Sequence, residues 1–262
     1  MPPLNVSTPQ KFRQNGKMTE EDEMFLTMEV NDLKELEEKA KAAKFKTQVV
    51  WRNVGLYVLL QTGATIGLYQ LFFTAKWLSV AWVIILWMVS GVGITAGPHR
   101  LWSHKSYKAK TPLKIILMFM NCVAFQNDVI EWSRDHRCHH KWTDTDADPH
   151  NINRGFFFAH MGWANGFGYK PYDVAIKATE SMLTTLTAWG EGGHNYHHTF
   201  PQDYRTSEML GVFNFSRLFI DFFAKIGWAY DLKTVDEKTI QRQMGRQLER
   251  LKEEEKKNSR AA

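Results

Sequence analysis

Eight of the ten histidines in this chain fall into three tight groups. His136, His139 and His140 lie in Asp135-His-Arg-Cys-His-His-Lys141, and His194, His197 and His198 in Gly193-His-Asn-Tyr-His-His-Thr199. Each triplet has the spacing i, i+3, i+4, which a helix gathers onto one face. His99 and His104 form a looser pair, five residues apart, that no single α-helical face joins. A bend or a helix end is needed to make them converge. A lone histidine is most often a packed or solvated side chain, but two identical triplets and a pair are not scattered surface residues. Neutral imidazole suits iron, copper, zinc or nickel. Eight imidazoles are too many for one ion, so the spacing predicts two ions with roughly four ligands each, other positions being left to water or substrate.

The elements that must carry these histidines begin with two apolar blocks. Val54 to Phe73 and Trp77 to Gly97 contain no charged residue. About 20 residues at 1.5 Å each cross roughly 30 Å of hydrocarbon, and a helix of a soluble core normally keeps a polar face. The short link around Thr74-Ala-Lys76 predicts an antiparallel transmembrane hairpin. Lys39, Lys41, Lys44, Lys46 and Arg52 crowd the approach to the first block, and Lys and Arg are again abundant after the second. That bias places both ends of the hairpin, and every histidine group with them, in the cytosol. A net charge of +5 and a pI of about 9.1 therefore fit a membrane surface and not nucleic acid, because the basic residues flank the apolar segments. Two cysteines, Cys122 and Cys138, are too few for a disulfide framework and fit a reducing, cytosol-facing location.

The rest of the chain supports this pair of elements. Residues 1 to about 30 read as a mobile arm without a cleavable signal peptide, and residues 31 to 47 as a charged helix. Pro112 to Phe125 is apolar but too short to span, which leaves an interfacial, re-entrant or buried helix. Asp144, Asp146 and Asp148 follow the central triplet. They could accept the second ring N–H of a ligand histidine or form a solvated loop. His160 reads as a packing residue. A helix is expected over about Val174 to Ala188. Val212, Phe215, Phe219, Phe222 and Ile226 recur at helical spacing between Met209 and Trp228. The last 30 residues or so read as a charged helix or tail.

A histidine-rich pair of ions beside a membrane suits oxygen activation by iron, with a lipid as the substrate. Removing hydrogen from an unactivated methylene is beyond side-chain acids and bases. A hydrolytic zinc site commonly carries His-Glu-x-x-His, which this sequence lacks.

Three stretches, His99-Arg-Leu-Trp-Ser-His104, His136-Arg-Cys-His-His140 and His194-Asn-Tyr-His-His198, resemble the histidine boxes of the membrane acyl-CoA desaturases of the stearoyl-CoA delta-9 type. The words around them match too, in Gly97-Pro-His-Arg-Leu-Trp-Ser-His104, Asn127-Asp-Val-Ile-Glu-Trp-Ser-Arg-Asp-His-Arg137 and His194-Asn-Tyr-His-His-Thr-Phe-Pro201. The resemblance covers about residues 45 to 230. It implies insertion of a cis double bond into a saturated fatty acyl-CoA, with dioxygen, electrons from cytochrome b5 and two iron ions (Fe2+/Fe3+), in the endoplasmic reticulum membrane. It implies His99, His104, His136, His139, His140, His194, His197 and His198 as iron ligands. It also implies that Asn53, Asn127, Arg134 and Asp135 meet the acyl-CoA head group; read by themselves, Arg134 and Asp135 are a local ion pair.

The chain departs from the family in one place. The family has two transmembrane hairpins; this sequence has one. After Gly155-Phe-Phe-Phe-Ala-His-Met-Gly-Trp163 it passes almost at once into Gly168-Tyr-Lys-Pro-Tyr-Asp173, which in the family lies beyond the second hairpin. The resemblance thus implies an internal deletion with its junction near residues 163–165. An Asn-x-x-x-His element that brings a ninth histidine ligand in the family is absent, since Asn165 is followed by Tyr169. Weak iron loading and little activity are the expected consequence.

The sequence thus predicts an all-α integral membrane protein with one transmembrane helical hairpin and a cytosolic, helical, histidine-rich di-metal domain. Its divisions are an N-terminal arm and helix (1–47), the hairpin (48–98), the histidine-box domain (99–230) and a charged tail (231–262). The alternatives to a working desaturase are an inactive form that associates with a full-length desaturase as an interfering subunit, and a related di-iron hydroxylase.

Overall fold

The structure, a computed structural model, describes residues 49–154, 168–208 and 211–261. The expected arm and helix of residues 1–47, the stretch Phe156–Trp163 with His160, and the junction at 163–165 lie outside them. The chain divides into two compact units, Met1–Thr62 and Gly63–Ala262.

The described residues are mostly helical. Two helices are long and apolar enough to cross a membrane: α1, Trp51–Phe73, and α2, Trp77–Ile94, which runs on into a π-helical segment, Thr95–Ser103. No residue of α1 is buried, and large apolar side chains such as Leu59 (68% exposed) and Trp82 (58% exposed) point outward. An apolar surface this extensive is a liability in water and is matched by hydrocarbon.

The elements that follow carry the histidines. Helix α3, Thr111–Ala124, ends in a left-handed Phe125, and α4, Val129–Trp142, starts at Asp128, whose side chain accepts hydrogen bonds from the Ile130 and Glu131 amides at 2.8 and 2.9 Å. Such a cap satisfies two of the orphan donors of the first turn. The two helices meet at a bend of 80°. Helix α3 buries Leu113, Leu117 and Asn121 and leaves Ile115, Met118, Phe119 and Val123 exposed. This outward apolar face agrees with the interfacial or re-entrant reading and not with a plain buried helix. Helix α5, Met182–Thr187, and α6, His194–Thr199, are short; α7, Phe215–Lys225, and α8, Glu237–Ala261, follow among the described residues. A two-stranded antiparallel pair, Lys108–Ala109 (β1) and Ala229–Tyr230 (β2), ties the chain after the π segment to the chain after α7.

One apolar core joins Val92, Ala96 and Leu101 to Leu113, Leu117 and Ile220, with Trp102, Phe215, Phe219 and Phe223 packed against it. A second gathers Tyr172 with Tyr196 and Phe200 of the third histidine stretch, and with Val235 and Ile240, where α8 begins.

Two sequence expectations change here. The helix expected over Val174–Ala188 is confined to Met182–Thr187. The backbone before it is committed elsewhere: Asn195 Nδ2 donates to the Asp173 and Ala178 carbonyls at 2.7 and 3.0 Å, the Lys177 amide donates to Asp144 at 2.8 Å, and Glu180 pairs in extended form with Tyr169. Side-chain and cross-chain partners of this kind compete with helical i→i−4 bonds. In the second case the apolar face predicted from Val212 to Ile226 is split. Asn214 caps the helix at the Arg217 amide (2.9 Å), so α7 starts at Phe215. Phe215, Phe219 and Phe223 then pack inward, while Val212, Phe222 and Ile226 are exposed.

Candidate metal centre

The π-helical segment solves the spacing problem of the first pair. In a π turn the hydrogen bond runs from residue i+5 to residue i, and the His104 amide donates to the His99 carbonyl at 3.1 Å. Residues five apart therefore stack, and the rings of His99 and His104 stand 5.0 Å apart. Pro98 lies inside the segment; its carbonyl accepts the Ser103 and Ser133 hydroxyls at 2.5 and 3.3 Å, which fastens the segment to α4.

The eight histidines converge in two groups. Ring nitrogens of His99, His104, His136, His140 and His197 lie within 4.8 Å of one another, and so do those of His139, His194 and His198. The split is five and three, where the sequence suggested about four each. Helical phase permits it, and the packing of the two helices against each other sets it. At about 100° per residue, i and i+4 differ by about 40°, but i+3 and i+4 by about 100°. His136 and His140 thus stay together in one group, and His194 and His198 in the other. Each triplet sends its remaining histidine, His139 or His197, across to the other group.

Inside the groups the separations are those of shared ligation. His99 and His197 approach Nε2 to Nε2 at 2.8 Å, His104 and His136 at 2.8 Å, His139 and His198 at 3.1 Å, and His198 and His194 at 3.1 Å. Imidazole nitrogens bind a divalent ion at roughly 2.1 Å, so neighbours at right angles stand about 3 Å apart. His140 Nε2 is buried without a hydrogen-bond partner among the described residues, a costly state that ligation would relieve. Burial holds His197 and His198 well below the ordinary imidazole range and lowers His194 to about 3. Kept neutral in this way, the rings are in the form that binds metal. The donor set therefore fits two ions of the imidazole-binding class.

The far nitrogen of three of these histidines is held by a second residue. His139 Nδ1 meets Asp148 Oδ1 at 2.8 Å, His99 Nδ1 meets Glu191 Oε2 at 3.2 Å, and His198 Nδ1 meets Thr143 Oγ1 at 3.3 Å. Each contact fixes the proton on Nδ1 and leaves Nε2 free, the arrangement of carboxylate–histidine–metal sites. Of the three aspartates singled out in the sequence, Asp148 has this role; Asp144 accepts the Lys177 amide instead. Glu191 was not legible as a partner. Its only signal is that it is the one carboxylate in the run Gly190-Glu-Gly-Gly193, directly before the third group. Burial pushes its carboxyl up, but Arg100 and His99 outweigh this and hold it down at about 2. Arg100, itself fully buried, also donates to the Tyr204 carbonyl (2.8 Å) and to Asn214 (3.2 Å), and so joins the π segment to the loop before α7. Cys138, within the central triplet, is no ligand here; its thiol lies 3.6 Å from the Ala147 carbonyl.

The residues expected at a substrate head group lie on the periphery. Arg134 and Asp135 sit on α4, paired at 3.2 Å, with 67% and 40% of their side chains exposed. Asn127 is exposed in a left-handed conformation (φ 63°), and its carbonyl accepts from Asn121 at 3.4 Å. Asn53 lies in the first turn of α1 and accepts from Arg52 at 3.5 Å.

No family model matches the chain. The chain is similar to Delta(9)-fatty-acid desaturase fat-7 of Caenorhabditis elegans, at 41% identity over 85% of this chain and 90% of that protein. It is similar to the Acyl-CoA Delta-9 desaturase of Acheta domesticus, at 40% identity over 80% and 82%. It is also similar to the Stearoyl-CoA desaturase of Capra hircus, at 39% identity over 73% and 76%.

Proposed function

The chain belongs to the acyl-CoA desaturase family, and on that premise we propose that its two histidine groups hold two iron ions serving the desaturation of a saturated fatty acyl-CoA. The chain is an oxidoreductase of that family and a membrane protein. The observation that carries the reading is the convergence of eight imidazoles into two groups, each with its nitrogens within 4.8 Å. Iron bound there would supply, with dioxygen, the oxidising power that acid and base side chains lack.

The protein's own residues supply position. Asp148, Glu191 and Thr143 fix the ligand tautomers, burial keeps the imidazoles neutral, and Arg100 balances the charge of Glu191. Arg134 offers a planar, bidentate donor for a phosphate of the acyl-CoA head group, with Asp135, Asn127 and Asn53 as its companions. The reading includes cytochrome b5 as electron donor and the endoplasmic reticulum membrane as location. It puts both termini and the histidine groups in the cytosol, on the argument from flanking basic residues. The domain limits follow: arm and helix to residue 47, hairpin 48–98, histidine-box domain 99–230, tail 231–262.

The same reading places an internal deletion near residues 163–165 that removes a second hairpin. The lengths support it: the alignment to the Caenorhabditis elegans relative runs over 306 positions, whereas 85% of 262 residues is about 223, so about 83 positions have no counterpart here. Much of the acyl channel wall would go with them, and desaturation is expected to be weak. This length difference also favours a second reading, an inactive shortened form that associates with a full-length desaturase and interferes with it. Expression in a desaturase-deficient yeast separates the two. New monounsaturated acids that vanish with His139→Ala and His140→Ala would establish the enzyme. No product from protein present in the membrane would favour the interfering form, which should then co-purify with a full-length desaturase.

A further inference from the structure

Helix α3 is fastened to two other helices. It lies against the end of α2, where a Cβ on Gly93 would stand 2.6 Å from the Met120 carbonyl carbon. Its start is tied to the chain just after α7: the Lys110 amide donates to the Trp228 carbonyl at 2.8 Å, and Lys108 pairs with Tyr230 across β1 and β2. The beginning of α3 and the end of α7 are therefore neighbours, held on a helix long and apolar enough to cross a membrane.

Both helices turn apolar side chains outward. On α3 these are Ile115, Met118, Phe119 (65% exposed) and Val123; on α7 and at its end they are Leu218, Phe222 (57% exposed) and Ile226. The spacings i, i+3, i+4, i+8 and i, i+4, i+8 make each set one stripe. Three lysines stand where the two stripes approach each other. Lys110 immediately precedes α3, Lys114 lies in its first turn, and Lys225 is the last residue of α7. All three are exposed, and their side chains have no ion-pair or hydrogen-bond partner among the described residues. Between His104 and Asp128 the chain carries four lysines and no acidic residue. On α8, by contrast, Glu249, Glu253 and Glu255 are mixed with the basic residues.

We infer that α3 and α7 set their apolar stripes into one leaflet of the bilayer, and that Lys110, Lys114 and Lys225 hold acidic phospholipid head groups beside the hairpin. The inference rests on the membrane-spanning hairpin of the reading above. Acyl chains match the apolar stripes, and lysine stems run along such surface while the ammonium groups reach the phosphates at its edge. Attachment to the end of α2 favours lipid over a soluble acidic protein as the occupant. Near an acidic membrane surface each lysine contributes a factor of about five in affinity.

The test titrates the full chain in detergent with phosphatidylserine and with phosphatidylcholine, and reads each bound fraction by native mass spectrometry. Wild type should bind phosphatidylserine at least about fivefold more tightly, the contribution of one lysine, and the preference should shrink at high salt. The Lys110→Gln, Lys114→Gln, Lys225→Gln triple variant should bind both lipids alike. The Lys238→Gln, Lys252→Gln, Lys256→Gln variant of α8 removes the same charge and should behave as wild type. Exposed Cys122 on α3 reports the leaflet directly. In a Cys138→Ser chain placed in vesicles, a fluorophore on Cys122 should be quenched by a spin label on the lipid chain and shielded from iodide. No lipid preference in wild type would overturn the inference, as would a preference that survives the triple variant, equal loss in the α8 variant, or a Cys122 label open to iodide. Loss of cytochrome b5 binding in the triple variant, with lipid preference intact, would make the face a protein-docking surface instead. A chain stripped from vesicles by alkaline carbonate would contradict the membrane hairpin itself.

Discussion

His99 Nδ1 and Glu191 Oε2 stand 3.2 Å apart, and the other oxygen of Glu191 accepts from Arg100 at 2.6 Å. A single carboxylate thus orients His99 and neutralises a fully buried arginine. Glu191→Gln removes the charge but keeps the shape. Arg100 is then left buried without a counterion, which costs about 3 kcal/mol of stability when a buried pair is broken on one side. Thermal unfolding of the purified variant in detergent should show a clear loss; a melting curve equal to wild type would remove Glu191 from the account.

Asp148 does the corresponding work for the smaller group. Its side chain is 1% exposed, and it meets His139 Nδ1 at 2.8 Å. Asp148→Asn should weaken metal held by His139, His194 and His198 about 10–100-fold, with the five-histidine group little changed. Competition with a chelator, followed ion by ion, reads this. Equal loss from both groups would contradict the pairing.

The third histidine helix depends on a glycine. A Cβ on Gly192 would stand 2.2 Å from the Ser181 carbonyl oxygen and 2.3 Å from the Thr185 amide nitrogen, both backbone atoms of the α5 turn. Gly192→Ala should cost about 1–3 kcal/mol, the usual range for overpacking, and should lower metal uptake by moving His194 off its helix position. Normal uptake with normal melting would show that the loop can shift freely.

Glu180 gives a pH signature. It is buried, and its carboxyl is pushed up by that burial to about 7 from an ordinary 4.5. The folded chain then binds this proton more tightly than the unfolded one, so its contribution to stability is largest below pH 4.5 and declines as pH rises towards 7. The buried histidines act in the opposite sense: for His194, lowered to about 3, stability is lost as pH falls from 6.5 towards 3. The difference between wild type and Glu180→Gln isolates the carboxylate. Melting temperatures from pH 5 to 8 should fall faster with pH in wild type than in the variant; parallel curves would contradict it.

The histidines announced themselves because ligation demands a spacing, and spacing survives in sequence. Apolar length announced α1 and α2 for a similar reason. The partition into five and three did not show, because it depends on which of two facing helices each i+3 histidine reaches, and that is a tertiary fact. The π turn that unites His99 and His104 was foreseen only as some bend. Glu191 and Arg100 stayed hidden since one carboxylate in a glycine run and one arginine beside a histidine have no period. The stretch from Val174 to Ser181 looked helical by composition and is not, because Asn195 and Asp144 take its backbone groups.

We propose that the two histidine groups form a two-iron centre. Anaerobic loading of the full chain with ferrous iron, removal of excess metal, and Mössbauer spectroscopy with an iron count test it most directly. Iron should bind in nitrogen-rich sites, below two ions per chain for want of the ninth histidine, and that content should be lost in the His139→Ala, His140→Ala double variant. Iron no higher in wild type than in that variant would contradict it.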